Sequence, residues 1–348
     1  MLKKIVRASL LLALLAAVAI WFFFFSSATQ FEGDSTVVYI YPGKTDRAAV
    51  LQALTETGAL GSTTSFEWLA DARNYFNKVK PGKYRVKRGA SVWSIYRMLA
   101  NGRQEEVKLV LGKMRLPEDF AGRISKLIYQ DSATVTAFIS SEDSLRPFGV
   151  SPATFMTALT QNTYRIYWTS SIGGLFRKLA AGTEQWWQQN DRKAKAEQLG
   201  FSPAEVYIIA SIVEEETNKA PDKPLVASVY INRLRKGMPL QADPTIRYAR
   251  KDFISNQVTY NQLKTVSPYN TYLNKGLPPG PICIPSLATL DAVLEAPGTN
   301  YLYFVAKADL SGGSVFNADY NAHLKAADEY QDSLQAWLAR KAAKKANP

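Results

Sequence analysis

From Ala8 to Phe25 the chain carries no charge and reads Ala-Ser-Leu-Leu-Leu-Ala-Leu-Leu-Ala-Ala-Val-Ala-Ile-Trp-Phe-Phe-Phe-Phe. Roughly 20 apolar residues span a bilayer as a helix, so this stretch is expected to be a transmembrane helix over residues 8–27. Lys3, Lys4 and Arg7 precede it. Positive flanks stay on the cytoplasmic side, which makes residues 1–7 a short cytoplasmic tail. Everything after Ser26 then lies outside the inner (cytoplasmic) membrane, in the periplasm, on a single-pass anchor. Trp21 and the phenylalanines after it stand where an interfacial aromatic belt is expected. The small residues Ser26-Ser27-Ala28 suit a cleaved signal peptide, but the long, bulky aromatic end argues against cleavage.

The rest of the chain must therefore work outside the cytoplasm, and its composition narrows how. One cysteine, Cys283, and one histidine, His323, leave no intrachain disulfide. They also leave no usual zinc ligand set, so no metal and no cofactor are expected. A Ser-His-Asp triad would need His323, and no G-x-S-x-G elbow accompanies it. Lys and Arg number 42 against 30 Asp and Glu, a formal charge of +12. Such a field attracts anionic lipid, nucleic acid or acidic polysaccharide. The periplasmic location removes nucleic acid as a partner and leaves the envelope polymer. Arg340, Lys341, Lys344 and Lys345 form a basic tail over residues 336–348, read as a solvated helix end.

Ser35 to Tyr41 alternates as a strand should, and Pro42-Gly43-Lys44 turns it. A helix is expected from Arg47 to Thr57. Lys80-Pro81-Gly82-Lys83 then turns into the strand Tyr84–Lys87, followed by Ser91 as N-cap and a helix from Val92 to Leu99. Residues 35–105 thus form a small αβ unit whose Tyr84-to-Ile95 string resembles half of a LysM module. Residues 106–200 read as a mostly helical connecting region with an irregular centre at Thr163–Trp168. The fold class expected overall is α+β: a transmembrane helix, the LysM-like αβ subdomain and a mixed α/β catalytic domain over residues 201–335.

Ser202, Pro203 and Glu205 make a capping box that fixes the register of the next helix. Val206, Ile209, Ala210 and Val213 recur at helical spacing, which predicts one wide buried face. Three glutamates, Glu214, Glu215 and Glu216, follow. Residues three and four apart share a face, so Glu216 stands over Ile212 and Val213. A carboxylate on a water-poor face has its neutral form favoured, as a general acid needs. Glu216 is the candidate acid/base.

The blocks Ala210-Ser-Ile-Val-Glu-Glu-Glu-Thr217, Val226-Ala-Ser-Val-Tyr-Ile-Asn-Arg-Leu234, Gly237-Met-Pro-Leu-Gln-Ala-Asp-Pro-Thr245, Tyr269-Asn-Thr-Tyr272 and Gly276-Leu-Pro-Pro-Gly280 resemble, in order, the signature of the MltG (YceG-like) endolytic murein transglycosylases. Tyr301–Val305, Phe316-Asn317 and His323 continue the pattern. The resemblance implies that Glu216 is the catalytic glutamate. It also implies cleavage of the β-1,4 bond between N-acetylmuramic acid and N-acetylglucosamine inside peptidoglycan glycan strands, leaving 1,6-anhydromuramoyl ends. Termination of nascent strands and company with penicillin-binding proteins follow from it as well. Glu214, Gln241, Asp243, Tyr269, Asn270, Tyr272, Asn317 and His323 are the candidate substrate-binding or supporting residues, and Asn232 or Arg233 a candidate partner for Glu214. Where the family usually has Phe-Pro-Asp-Thr-Tyr, this chain has Leu159-Thr-Gln-Asn-Thr-Tyr164. Two other readings stay open on sequence: a non-catalytic peptidoglycan-binding scaffold of the cell-wall machinery, and a hydrolytic muramidase or glucosaminidase.

Overall fold

The computed structural model describes residues 2–255 and 258–346. The side chains of Lys3, Lys344 and Lys345 lie outside what is described. The chain divides into two compact units. The first holds residues up to Leu109 together with Ile124–Asp131 and Arg165–Ser171, and the second holds the remainder.

In the first unit, helix α1 (Leu2–Phe25) leads to strand β1 (Ser35–Ile40) and helices α2 (Arg47–Glu56) and α3 (Thr64–Ala72). Strand β2 (Gly82–Lys87) and helix α4 (Val92–Asn101) follow. β1 and β2 are antiparallel, with Val38 opposite Tyr84 and Ile40 opposite Gly82. Side chains alternate across a strand, so Val38, Ile40, Tyr84 and Val86 enter one core with Val50, Leu54, Phe66, Ile95 and Leu99. Ser91 caps α4 by accepting from the Ser94 amide at 3.3 Å. Gly102 ends it at φ 66°, a left-handed conformation that glycine adopts without a Cβ penalty.

The stretch 106–200 is not one connecting region, because it contributes to both units. Strand β3 (Glu106–Leu111) opens it, followed by helices α5 (Pro117–Ser125), α6 (Ser132–Ile139) and α7 (Glu142–Leu145). The expected irregular centre is strand β4 (Asn162–Tyr167), which pairs with β3. Pairing partners about fifty residues apart leave no local signal, and the short alternation Tyr164, Ile166 was hidden among other aromatics. Helices α8 (Ile172–Trp187) and α9 (Arg192–Leu199) close the stretch.

The core of the second unit is built around α10 (Pro203–Glu216), which packs against α9, α11 (Lys223–Arg235), α12 (Asp243–Arg250) and α13 (Leu287–Leu294). The capping box is present in full, with Ser202 N donating to Glu205 Oε2 at 2.8 Å. The one-sided burial expected of this helix is exceeded. Every residue from Val206 to Val213 is buried, Ile208 and Ser211 included. A helix wrapped by four others has no solvent face to keep polar. Hairpin β5 (Tyr303–Ala306) and β6 (Ser314–Asn317) pairs antiparallel, and α14 (Tyr320–Ala346) packs on it and carries exposed Arg340 and Lys341.

Candidate active site

The last turn of α10 delivers three adjacent carboxylates into three different surroundings. Glu214 Oε2 accepts from Lys223 Nζ at 2.9 Å, from Ser286 Oγ at 3.1 Å and from Thr289 Oγ1. Burial pushes its pKa up, but the Lys223 ammonium and the two hydroxyls outweigh that and hold it below the usual carboxylate value. The partner expected for Glu214 among Asn232 and Arg233 is thus Lys223. Asn232 instead donates to the carbonyls of Thr299 and Tyr301 at 2.9 and 3.0 Å. Glu215 accepts a bidentate pair from Arg115, both bonds 2.9 Å, with Lys113 at 3.3 Å. Both acids are therefore engaged by neighbouring side chains. Replacing Arg115 by Gln is expected to lower stability by only about 1 kcal/mol, because Lys113 remains and the pair is partly solvated. The shift of the urea midpoint measures it.

Glu216 is the exception. Among the described residues it has no ion-pair partner. Its Oε2 is buried without a hydrogen bond, although the residue as a whole keeps some exposed surface. Burial raises its pKa to about 7, and the charge of Asp243 adds to the rise. The Tyr230 hydroxyl, Arg247 and Arg233 oppose it. Three helices make this setting. Tyr230 and Arg233 are three apart on α11 and share a face. Asp243 and Arg247 are four apart on α12, Asp243 being its first residue.

The groups around the carboxyl are themselves fixed. Arg233, buried, donates to the carbonyls of Leu302 and Leu240, each at 2.7 Å, and to Gln241 Oε1 at 3.4 Å. Tyr272 donates its hydroxyl to Asp243 Oδ1 at 2.6 Å. Asn270 is wholly buried, and its amide donates to the Leu263 and Thr265 carbonyls while its oxygen accepts from the Tyr272 amide at 2.9 Å. It shapes the loop that presents Tyr272. Tyr269 packs its ring 4.7 Å from that of Tyr248 on α12. Gln241 is exposed at φ 52°.

His323 stacks on the Tyr303 ring at 5.3 Å, and that ring also lies 5.4 Å from the Arg233 guanidinium. Burial, then Arg233, pulls the His323 pKa below its ordinary value. Its Nδ1 and the Asn317 Nδ2 are buried without partners in the protein. Buried polar atoms are nearly always bonded, so Glu216 Oε2, Asn317 Nδ2 and His323 Nδ1 are unmet hydrogen-bonding capacity on three of the expected site residues.

Pro278-Pro279-Gly280 borders α10. The Ile282 amide donates to Ser211 Oγ at 3.0 Å, which pins this segment to the helix. A Cβ on Gly280 would lie 1.9 Å from the Ala153 carbonyl oxygen. Gly280→Ala is therefore expected to cost about 1–2 kcal/mol of unfolding free energy through forced backbone displacement, read from the denaturant midpoint. A hollow of about 20 Å³ beside the site is lined by Arg115, Glu215, Pro244, Arg247, Phe253 and Ile282. A much larger one, about 500 Å³, sits in the same unit among residues such as Phe148, Arg177, Glu184 and Trp187. Its carboxylate, Glu184, is already paired with Lys193 at 2.5 Å. Size does not single out a site here, whereas Glu216 keeps one carboxylate oxygen without a partner.

Residues 38–329 match the profile of the YceG-like family. The chain belongs to that family. An endolytic murein transglycosylase of Bacillus subtilis strain 168 is 40% identical over 141 residues, covering 40% of this chain and 38% of the relative. One from Streptococcus pneumoniae serotype 2 strain D39 is 27% identical over 296 residues, covering 76% of this chain and 53% of the relative. The chain thus spans about half or less of the length of these relatives. The crystal structure of a yceG-like protein from Listeria monocytogenes aligns with TM-score 0.55 and 25% identity over 84% of this chain and 99% of that one.

Sequence reasoning missed Tyr230, Arg247 and Arg115. Tyr230 stood in a quoted block at i−3 from Arg233, and Arg247 at i+4 from Asp243, so helical register could have found both. Arg115 pairs with Glu215 across 100 positions, and no local pattern announces that.

Proposed function

We propose that this YceG-like chain cuts peptidoglycan glycan strands internally as a lytic transglycosylase, with Glu216 serving as both acid and base. The observation that carries the reading is the buried Glu216 carboxyl, in no ion pair among the described residues and with one oxygen unbonded, whose pKa is raised to about 7. A general acid works best with a pKa near the operating pH. In the first step the Glu216 carboxyl gives its proton to the bridging oxygen as the muramoyl C1–O bond breaks. The resulting carboxylate then takes the proton of the muramoyl 6-hydroxyl while its oxygen bonds C1. The product is a 1,6-anhydro end, no water is consumed, and Glu216 returns protonated. Tyr230, Arg233 and Arg247 favour the charged form, which is needed only between the two steps.

Mass spectrometry of fragments released from isolated sacculi by the full chain tests this. Anhydro ends are expected, and reducing ends, one water heavier, would sink the transglycosylase reading. One feature favours that second reading, hydrolysis. Asp243 is a second carboxylate close enough to act on Glu216, and ordinary glycosidases use two. Its oxygen is, however, already engaged by Tyr272.

The helix Lys4–Phe25 is long and apolar enough to cross a membrane, and it is read as a retained anchor that holds the catalytic unit in the periplasm. The support is that Phe24 and Ala28 pack against the core of the first unit, so cleavage near Ala28 would strip that packing from it. By resemblance, residues 35–105 are the LysM-like unit, nascent strands are the substrate, and penicillin-binding proteins are the expected company.

A further inference from the structure

The end of α1 is stitched into the first unit. Ser27 bridges to Ser91, and the Ala28 amide donates to the Ala90 carbonyl at 3.0 Å. The Gln30 amide donates to Gly58 O and the Gly61 amide to Ala28 O, both at 2.8 Å. The Gln30 side chain lies over Gly61, where a Cβ would come within 2.4 Å of it and push it aside. Phe24 packs on Trp68 with ring centroids 5.5 Å apart, and Phe25 on Trp93 at 6.1 Å. Whatever plane α1 leaves, the residues at its foot are held at that plane.

That foot has the composition of a bilayer interface. Trp68 is 63% exposed, unusual for so large an apolar ring. The Arg73 guanidinium lies 5.9 Å over the Trp93 ring. Trp and basic residues concentrate at headgroup level. Beside Trp93 opens a groove of about 420 Å³ lined in part by Arg85, Lys87, Arg97 and Arg103. Arg85 is neutralised by Glu105 at 2.7 Å. Lys87, Arg97 and Arg103 are exposed, and no carboxylate lines the groove among the described residues.

We propose that this foot is a docking surface for anionic phospholipid. Trp68 and Trp93 enter the headgroup region, and Lys87, Arg97 and Arg103 take lipid phosphates. The first unit then rests on the bilayer instead of extending from it. Continuity of the groove, through Trp93, with the end of the span selects lipid over a glycan, and its charge of one sign complements the lipid phosphate. Each basic residue near an anionic surface strengthens attraction roughly fivefold at ordinary ionic strength. The inference rests on reading α1 as a retained span.

The full chain is placed in nanodiscs of brominated phosphatidylcholine, with or without phosphatidylglycerol, and Trp68 emission is isolated as the difference between the chain and its Trp68→Phe variant. Quenching of Trp68 that deepens with phosphatidylglycerol is expected, and K87E/R97E/R103E should abolish the deepening. These three residues are exposed, and thermal unfolding of the variant checks that the fold survives. Emission that is unquenched or indifferent to phosphatidylglycerol overturns the proposal, as does relief of quenching by soluble murein fragments. Intact mass of the nanodisc protein reports separately on the anchor: a chain lacking residues 2–25 would refute the retained span itself.

Discussion

Glu216→Gln is expected to reduce the release of anhydro-ended fragments from sacculi by two to four orders of magnitude, the usual contribution of a positioned general acid/base. The variant should fold. The amide keeps the shape of the carboxyl and removes a charge that the site disfavours. The sign of the stability change follows from the raised pKa. The ordinary carboxyl value is 4.5, and the folded value is about 7. Below pH 4.5 the group is neutral in both states. Between pH 4.5 and 7 the unfolded chain loses the proton and the folded chain keeps it, so stability falls as pH rises. Above pH 7 the buried charge costs its full amount, roughly 3 kcal/mol at 1.36 kcal/mol per unit. The difference in Tm between Glu216→Gln and the parent chain should therefore grow from pH 4.5 to pH 7 and level off beyond it. A difference that is flat with pH would mean that the carboxyl is solvated, and with it the acid/base assignment would go.

Much of this site was legible because it is local. The capping box at Ser202 and Glu205 sets a register, and register places Glu216 on the apolar side of its helix. What the register could not supply is the reason Glu214 and Glu215 are excluded. One wide buried face was expected of this helix, yet α10 is buried all round through Val213. All three acids begin in similarly crowded space. They are separated by partners, Lys223 with Ser286 and Thr289 for one and Arg115 with Lys113 for the other. Those partners come from distant segments, and the pairing of β3 with β4 escaped for the same reason. Asn270 shows the opposite limit. Its residue type and position suggested a ligand-facing amide, whereas its three bonds hold a loop.

Asp243→Asn tests whether the second carboxylate tunes the first or acts on substrate itself. If it tunes, removing its charge lowers the Glu216 pKa, while burial, the larger cause, still pushes it up. The protonated fraction of Glu216 at pH 7 then falls, and activity drops there by roughly five- to tenfold, the effect of lowering the pKa of an essential acid by about one unit below the operating pH. At pH 5 the same variant should recover most of the parent rate, since Glu216 is protonated in both. The alkaline limb of the pH–rate profile moves to lower pH as a whole. Tyr272→Phe, which leaves the Asp243 charge in place, should not move that limb downward. If Asp243 were the base or nucleophile of a hydrolase, its amide would abolish turnover at every pH and no acidic recovery would appear. The profile of one variant therefore separates a pKa-setting neighbour from a second catalytic carboxylate, and with it the two reactions open to this arrangement of helices.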